Sequence, residues 1–404
     1  MRISSISKNI RQMAAVAKDL ATGRYPRFVY RRSLGTEEIA VFGFHGVEPE
    51  SFEALLQFLA SNGYRSLKAG EICAIMGGHQ EPPRTTSVAL TFDDGMGSVW
   101  AVAFPLLKKY GLTATVFLIS EWIREADEYL PNLEDVWDKR ATLQSVQGRD
   151  SGPRPMLTWR EARRMHGSGV IDFQSHTATH SLISVGPEIL AFVSPELLSH
   201  YQPFEFFQTH TRESRPRFEP PALGTPLYRS DSRMSAAPRC LVDDSVAEAC
   251  ARHVEEHGGE GFFGHRAWQA ELRAVAADAT RGNSHVRYEN QRDQRSAILG
   301  ELTSSRRTIE TRLDRGGVEH LCYPWGVGSD IAVAASKEAG YRTNFWGGLD
   351  GRFVNRPGDD PYRISRMGED FAWILPGEGR RSLARLLIKK LRRRAVEGSP
   401  YLTH

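Results

Sequence analysis

Two adjacent carboxylates, Asp93 and Asp94, stand where the apolar run Ser87–Phe92 ends, and Gly95 follows them at once. Like charges this close repel, so a fold that keeps both gives them a cation or different protonation duties. Asp-Asp-Gly is also ordinary turn chemistry, and the pair gains meaning only from what joins it. His176 and His180 are four residues apart; on one turn of helix their imidazoles would project from the same face and reach one metal ion. Adding one carboxylate to two imidazoles leaves positions open for water and substrate, as a catalytic zinc, cobalt, nickel or iron site requires. Asp94 is assigned as that ligand. Water on such an ion has a pKa of roughly 7, and Asp93 is placed to take its proton as general base. Hydrolysis of an amide also needs an acid for the leaving nitrogen, and His45 is the candidate. The backbone N–H of Tyr323, next to Pro324, is a candidate donor to the oxyanion, with Trp325 as a wall of the site.

These residues need a scaffold that gathers them, and the hydrophobic pattern supplies one. Short apolar runs at 39–44, 64–67, 87–92, 113–119, 170–174, 319–323 and 341–346 read as strands. Helical patterns alternate with them. Phe52, Leu55, Leu56 and Leu59 make a stripe in a helix that Ser51 can cap and that runs to about Asn62. Helices are expected over about 71–76, 98–110, 298–313 and 330–339, and Thr158-Trp159-Arg160-Glu161 has capping-box spacing for one reaching His166. Strand, helix, strand, helix implies a parallel sheet, open or closed into a barrel. His45, Asp93-Asp94, His176/His180 and Tyr323 each fall at the C-terminal end of a strand, and in such architectures those ends gather on one edge.

The composition excludes several classes. Fifty-two Lys and Arg against 49 Asp and Glu give a net charge of +3, concentrated near the C-terminus, and no basic and aromatic interleaving suggests nucleic acid. Cys73, Cys240, Cys250 and Cys322 lie far apart without Cys-x-x-Cys spacing, so buried reduced thiols are expected. Residues 1–30 lack the apolar core of a secretory signal and no run has transmembrane length. The expectation is a cytoplasmic protein.

Leu90–Gly95, Ser175–His180 and Cys322–Gly326, with Phe104–Gly111 between them, resemble the polysaccharide deacetylases of carbohydrate esterase family four, the NodB-homology domain. The resemblance covers about residues 39–185 and 296–370. It implies an α/β fold, a distorted (β/α) barrel of the polysaccharide deacetylase type carrying a long inserted subdomain. It also implies a divalent metal, usually zinc, that activates water to remove acetyl groups from a sugar. Carried over by position, Asp93 is the base, Asp94, His176 and His180 the metal ligands, and Tyr323 an oxyanion donor. No histidine occurs between His320 and His404 to fill the usual acid slot. Phe44-His45 is similar instead to the aromatic-His pair on the first strand of a permuted branch. Many members have an arginine just before the Tyr-Pro segment; here Leu321-Cys322 stand there. What orients Asp93 is left open, with Arg366 and Arg363 as weak candidates.

The expected organisation is an N-terminal helical extension (1–38), a deacetylase core in two parts (39–185 and 296–376), an inserted subdomain (186–295) that covers the site, and a basic amphipathic tail (377–404). Arg380, Arg381, Arg385, Lys389, Lys390 and Arg392–Arg394 around leucines suit a helix lying on an anionic bilayer at the inner membrane face. The expected partner is an acetylated saccharide, N-acetyl before O-acetyl. The rivals are a cyclic-amide or other C–N hydrolase on the same scaffold and a catalytically silent glycan-binding protein.

Overall fold

A computed structural model describes residues 22, 25–30, 33–152, 154–199, 220–281, 286–349 and 352–383. Residues 1–21 of the expected N-terminal helical extension and the tail from residue 384 onward lie outside them. The centre is a sheet of parallel strands. They are β1 (Ala40–Phe44), β2 (Arg65–Ser66), β3 (Ser87–Phe92), β4 (Ala114–Leu118), β5 (Ile171–Ser175), β10 (His320–Cys322), β11 (Thr343–Phe345) and β12 (Met367–Gly368). The order is β11-β10-β5-β4-β3-β1-β12, with β2 alongside β3. The segment carrying β12 touches both ends of that order: Met367 pairs with Phe42 of β1, and Ile364 bridges to Phe345 of β11. The sheet therefore curls into a distorted (β/α) barrel.

Alternation along each strand decides which side chains meet inside. Ile39, Val41, Ala89, Phe117, Cys322, Phe345 and Ile364 form one buried cluster together with residues of α2 (Ala69–Met76). Their neighbours Phe42, Val88, Leu90, Phe92, Val116 and Leu321 belong to the larger core outside the ring. There α1 (Pro49–Ser61), α3 (Phe104–Tyr110), α4 (Trp159–Gly167), α7 (Gln291–Arg312) and α8 (Asp330–Glu338) pack. Asp93 continues the inward series Ala89, Thr91, and so enters the barrel.

Most expected elements stand, with local corrections. The first helix starts at Pro49 with Glu48 as N-cap, because proline suits the first helical position; Ser51 lies inside it, its hydroxyl bonding back to Glu48 O. The helix expected from Ser98 begins as a π-helical turn, Val99–Ala103, before α3. Thr158 and Glu161 form the capping box, Thr158 N–H donating to Glu161 Oε2 at 2.9 Å and Glu161 N–H to Thr158 Oγ1 at 3.2 Å. The two-residue β12 is too short to leave a periodic trace in the sequence. All four cysteines are free and buried.

Between β5 and α7 lie an antiparallel pair of β6 (Leu182–Phe192) and β7 (Pro226–Ser232), a small pair β8 (Cys240–Leu241) and β9 (Arg287–Tyr288), and the helices α5 (Asp244–Glu256) and α6 (Trp268–Ala279). These helices share a separate small cluster of Phe192, Val246, Cys250, Val254, Phe262, Leu272 and Ala276. Arg233 holds Glu289 through two bonds of 2.6 and 2.8 Å, both side chains buried.

Candidate active site

Asp94 sits just past the end of β3 in the left-handed region, φ 68°, and Gly95 follows at φ 85°. A Cβ on Gly95 would stand 2.7 Å from Leu118 Cδ2, so space as well as backbone conformation selects glycine there. The turn sends consecutive carboxylates in different directions. Asp94 Oδ1 faces His176 Nε2 at 3.5 Å and His180 Nε2 at 3.7 Å, and all three residues are buried. That oxygen accepts no hydrogen bond. Burial pushes the Asp94 carboxyl up, and burial followed by the neighbouring His176 drives His180 well below its ordinary value.

The histidines are not on a helix as their spacing suggested. They lie in a turn after β5 in which Thr177 and His180 both have positive φ, 68° and 60°. Folding the chain back in this way brings the two rings within 4.9 Å, centroid to centroid. Among the described residues six non-glycine positions have positive φ, and Asp94, Thr177, His180 and Trp325 are four of them. Such strain persists where surroundings impose it. Here α7 imposes it: Glu301 accepts from Thr179 N–H and Oγ1 at 3.1 and 2.9 Å, and Ser305 Oγ donates to Thr177 O at 3.0 Å. His176 Nδ1 lies 2.8 Å from Cys322 O. A carbonyl only accepts, so the proton is on Nδ1 and the lone pair of Nε2 points at Asp94, the arrangement metal-binding histidines use.

Asp93 lies on the inward face of the barrel. Arg366 grips it with Nη1 on Oδ1 at 2.7 Å and Nη2 on Oδ2 at 2.8 Å, and its Nε donates to Trp346 O. Burial favours the neutral acid, but the Arg366 guanidinium, then His176, outweigh it and hold the carboxyl well below the usual carboxylate range. Arg366 thus fills the role the sequence left open, while Arg363 pairs with Asp330 instead. The only sequence signal was an arginine in an unassigned segment; its strand is the barrel seam, visible only in three dimensions.

His45 stands exposed just past β1, near enough to Asp93, Asp94 and His180 to act on them electrostatically. Tyr323 requires a correction. Its backbone N–H donates to Phe345 O at 3.0 Å, continuing the β10–β11 ladder, so that donor is already engaged; its hydroxyl, fully buried, accepts from Asn344. Trp325 packs on His180, rings 4.8 Å apart, and does wall the site. Sequence reading also missed Glu301 and Ser305, which lie on an otherwise ordinary amphipathic helix.

Comparison with known proteins sets the chain beside the polysaccharide deacetylases. The sequence model of the polysaccharide deacetylase family matches residues 80–200. A presumed polysaccharide deacetylase of Bacillus subtilis, YxkH, is 39% identical over 77 residues, 19% of this chain and 27% of that protein. The poly-beta-1,6-N-acetyl-D-glucosamine N-deacetylase of Staphylococcus aureus is 26% identical over 133 residues, 33% of this chain and 37% of the relative. The chain thus matches well under half the length of these relatives. The BpsB deacetylase domain from Bordetella bronchiseptica superposes with a TM-score of 0.51 at 14% identity, covering 83% of this chain and 97% of that one. The barrel is therefore of the deacetylase type.

Proposed function

We propose that this protein is a metal-dependent hydrolase that removes acetyl groups, N-acetyl in the first instance, from a saccharide. The observation that carries the reading is Asp94 Oδ1, buried without a hydrogen-bond donor and facing Nε2 of two imidazoles. An unsatisfied carboxylate oxygen in that position is costly unless a cation joins it, and a carboxylate with two imidazoles is the donor set of a catalytic zinc site with open positions. When bound, a divalent ion would supply Lewis acidity to water and to the acyl oxygen. Asp93 accepts the proton of the attacking water on Oδ2, which keeps a second lone pair beyond its Arg366 contact, while Oδ1 also accepts from Cys322 Sγ at 3.6 Å. Arg366 fixes the plane of that carboxylate. His45, at the open rim, gives a proton to the departing sugar nitrogen.

The Staphylococcus aureus relative is named for an N-acetylglucosamine polymer, and we extend that substrate class, an acetamido sugar in a glycan, to this chain. Release of acetate from N-acetylated glucosamine oligomers tests it. Metal-loaded protein is expected to liberate acetate and expose free amines, with Asp93→Asn lowering turnover by about three orders of magnitude. Turnover of a cyclic amide with no acetate from any acetylated saccharide would move the assignment to the rival hydrolase.

A further inference from the structure

The insertion holds a second set of imidazoles around a carboxylate, and the barrel chemistry does not use it. His253 lies on the last turn of α5 and His257 caps that helix, so their i, i+4 spacing stacks the two rings 4.0 Å apart. From α6 Glu271 meets them, its Oε1 2.7 Å from His253 Nε2. His265, which follows the 3-10 turn Gly259–Gly264, places Nε2 3.4 Å from Glu271 Oε2. Ligand atoms of His253, His257 and Glu271 all lie within 4.8 Å of one another.

Three features set this group apart from a surface ion pair. His257 Nδ1 donates to His253 O at 2.7 Å, which leaves its Nε2 lone pair available. The buried ring of Phe262 stands edge-on to His253 and to His265, 87° and 82° between planes, and so holds two of the imidazoles from one side. The cluster also sits on a weak foundation: the core shared by α5 and α6 has seven buried apolar side chains among the described residues. Small units of this kind are commonly held by a metal where the apolar core is insufficient.

We propose that His253, His257 and Glu271 bind a divalent transition-metal ion of the imidazole-preferring kind, separate from the barrel site, which ties the end of α5 to the start of α6, with His265 holding the second oxygen of Glu271. Nitrogen and oxygen donors in this ratio suit zinc and its neighbours rather than calcium or magnesium. The proton shared by His253 and Glu271 leaves to solvent as the ion enters.

Calorimetric titration of the full chain with Zn2+ alone, after stripping with chelator, tests this. The wild type is expected to take up two equivalents. His253→Gln with His257→Gln takes up one, as does Asp94→Ala with His176→Ala, whose remaining equivalent still raises the melting temperature. Circular dichroism verifies that each variant is folded. If the double glutamine variant does not fold, Glu271→Gln replaces it, with the second equivalent expected to bind at least ten-fold more weakly. A wild type whose one equivalent survives the substitutions in α5, or a second equivalent unaltered by those substitutions or by the one at Glu271, overturns the proposal; a single equivalent that the α5 substitutions abolish supports it and counts against the barrel site instead.

Discussion

The barrel rim and the insertion each bring imidazoles to a carboxylate, and they do so from opposite starting points. At the rim Asp93, Asp94, His176 and His180 are buried in a frame that neighbours hold: His176 by Cys322 O, the 177–180 turn by Glu301 and Ser305, Asp93 by Arg366. In the insertion His253 and Glu271 are half-buried and His257 is exposed, above a small core. The rim buries an uncompensated oxygen that a cation would satisfy, whereas the insertion lets its carboxylate and imidazoles bond to one another. The first arrangement is preorganised for chemistry; the second suits a clip.

The largest effect should come from emptying the rim. Asp94→Ala is expected to lose the barrel metal and to reduce acetate release by about three orders of magnitude or more, and chelation of the wild type should do the same until Zn2+ is restored. Equal activity before and after would remove the distinction between the two regions. Arg366→Met leaves the Asp93 charge buried and unpaired, so a loss of about 3–5 kcal/mol in chemical denaturation is expected; an unchanged midpoint would show that the clamp contributes nothing to the fold.

Acid should act on the barrel as well. His320, buried on β10, is held down to about 3 by burial and then by Arg342 and Arg315. The unfolded imidazole binds its proton near 6.5, so the folded state carries fewer protons between these values. Its contribution is complete above about pH 6.5 and declines as pH falls toward 3, by about 2 kcal/mol between 6.5 and 5. His320→Gln should flatten that slope in denaturant melts at the two pH values, and an identical slope would exclude this histidine as its source. Gly95→Ala, at φ 85° against Leu118, is expected to cost about 1–3 kcal/mol. Ser305→Ala is the mildest, about 1 kcal/mol with a several-fold lower kcat as the 177–180 turn loosens; a change in stability with no change in kcat would separate α7 from the site.

Much of this was legible in the text of the chain. Short apolar runs announce the strands, and polar residues at their ends announce the rim, because parallel strands share one direction. The capping box at Thr158 also reads directly. What escaped depends on non-local geometry. His176 and His180 have helical spacing but occupy a strained turn, whereas the same spacing at His253 and His257 does lie at a helix end. Arg366 is delivered by a two-residue strand that exists only because the barrel closes there. The Tyr323 N–H looked available from sequence and is taken by the neighbouring strand.

The most direct test pairs metal content with turnover in Asp93→Asn and Asp94→Ala, in chains also carrying His253→Gln and His257→Gln so that only the barrel site is counted. The account predicts one zinc and almost no acetate for the Asp93 variant, and neither zinc nor acetate for the Asp94 variant. Zinc retained at full stoichiometry after Asp94→Ala, or acetate released at the wild-type rate by either variant, would contradict it.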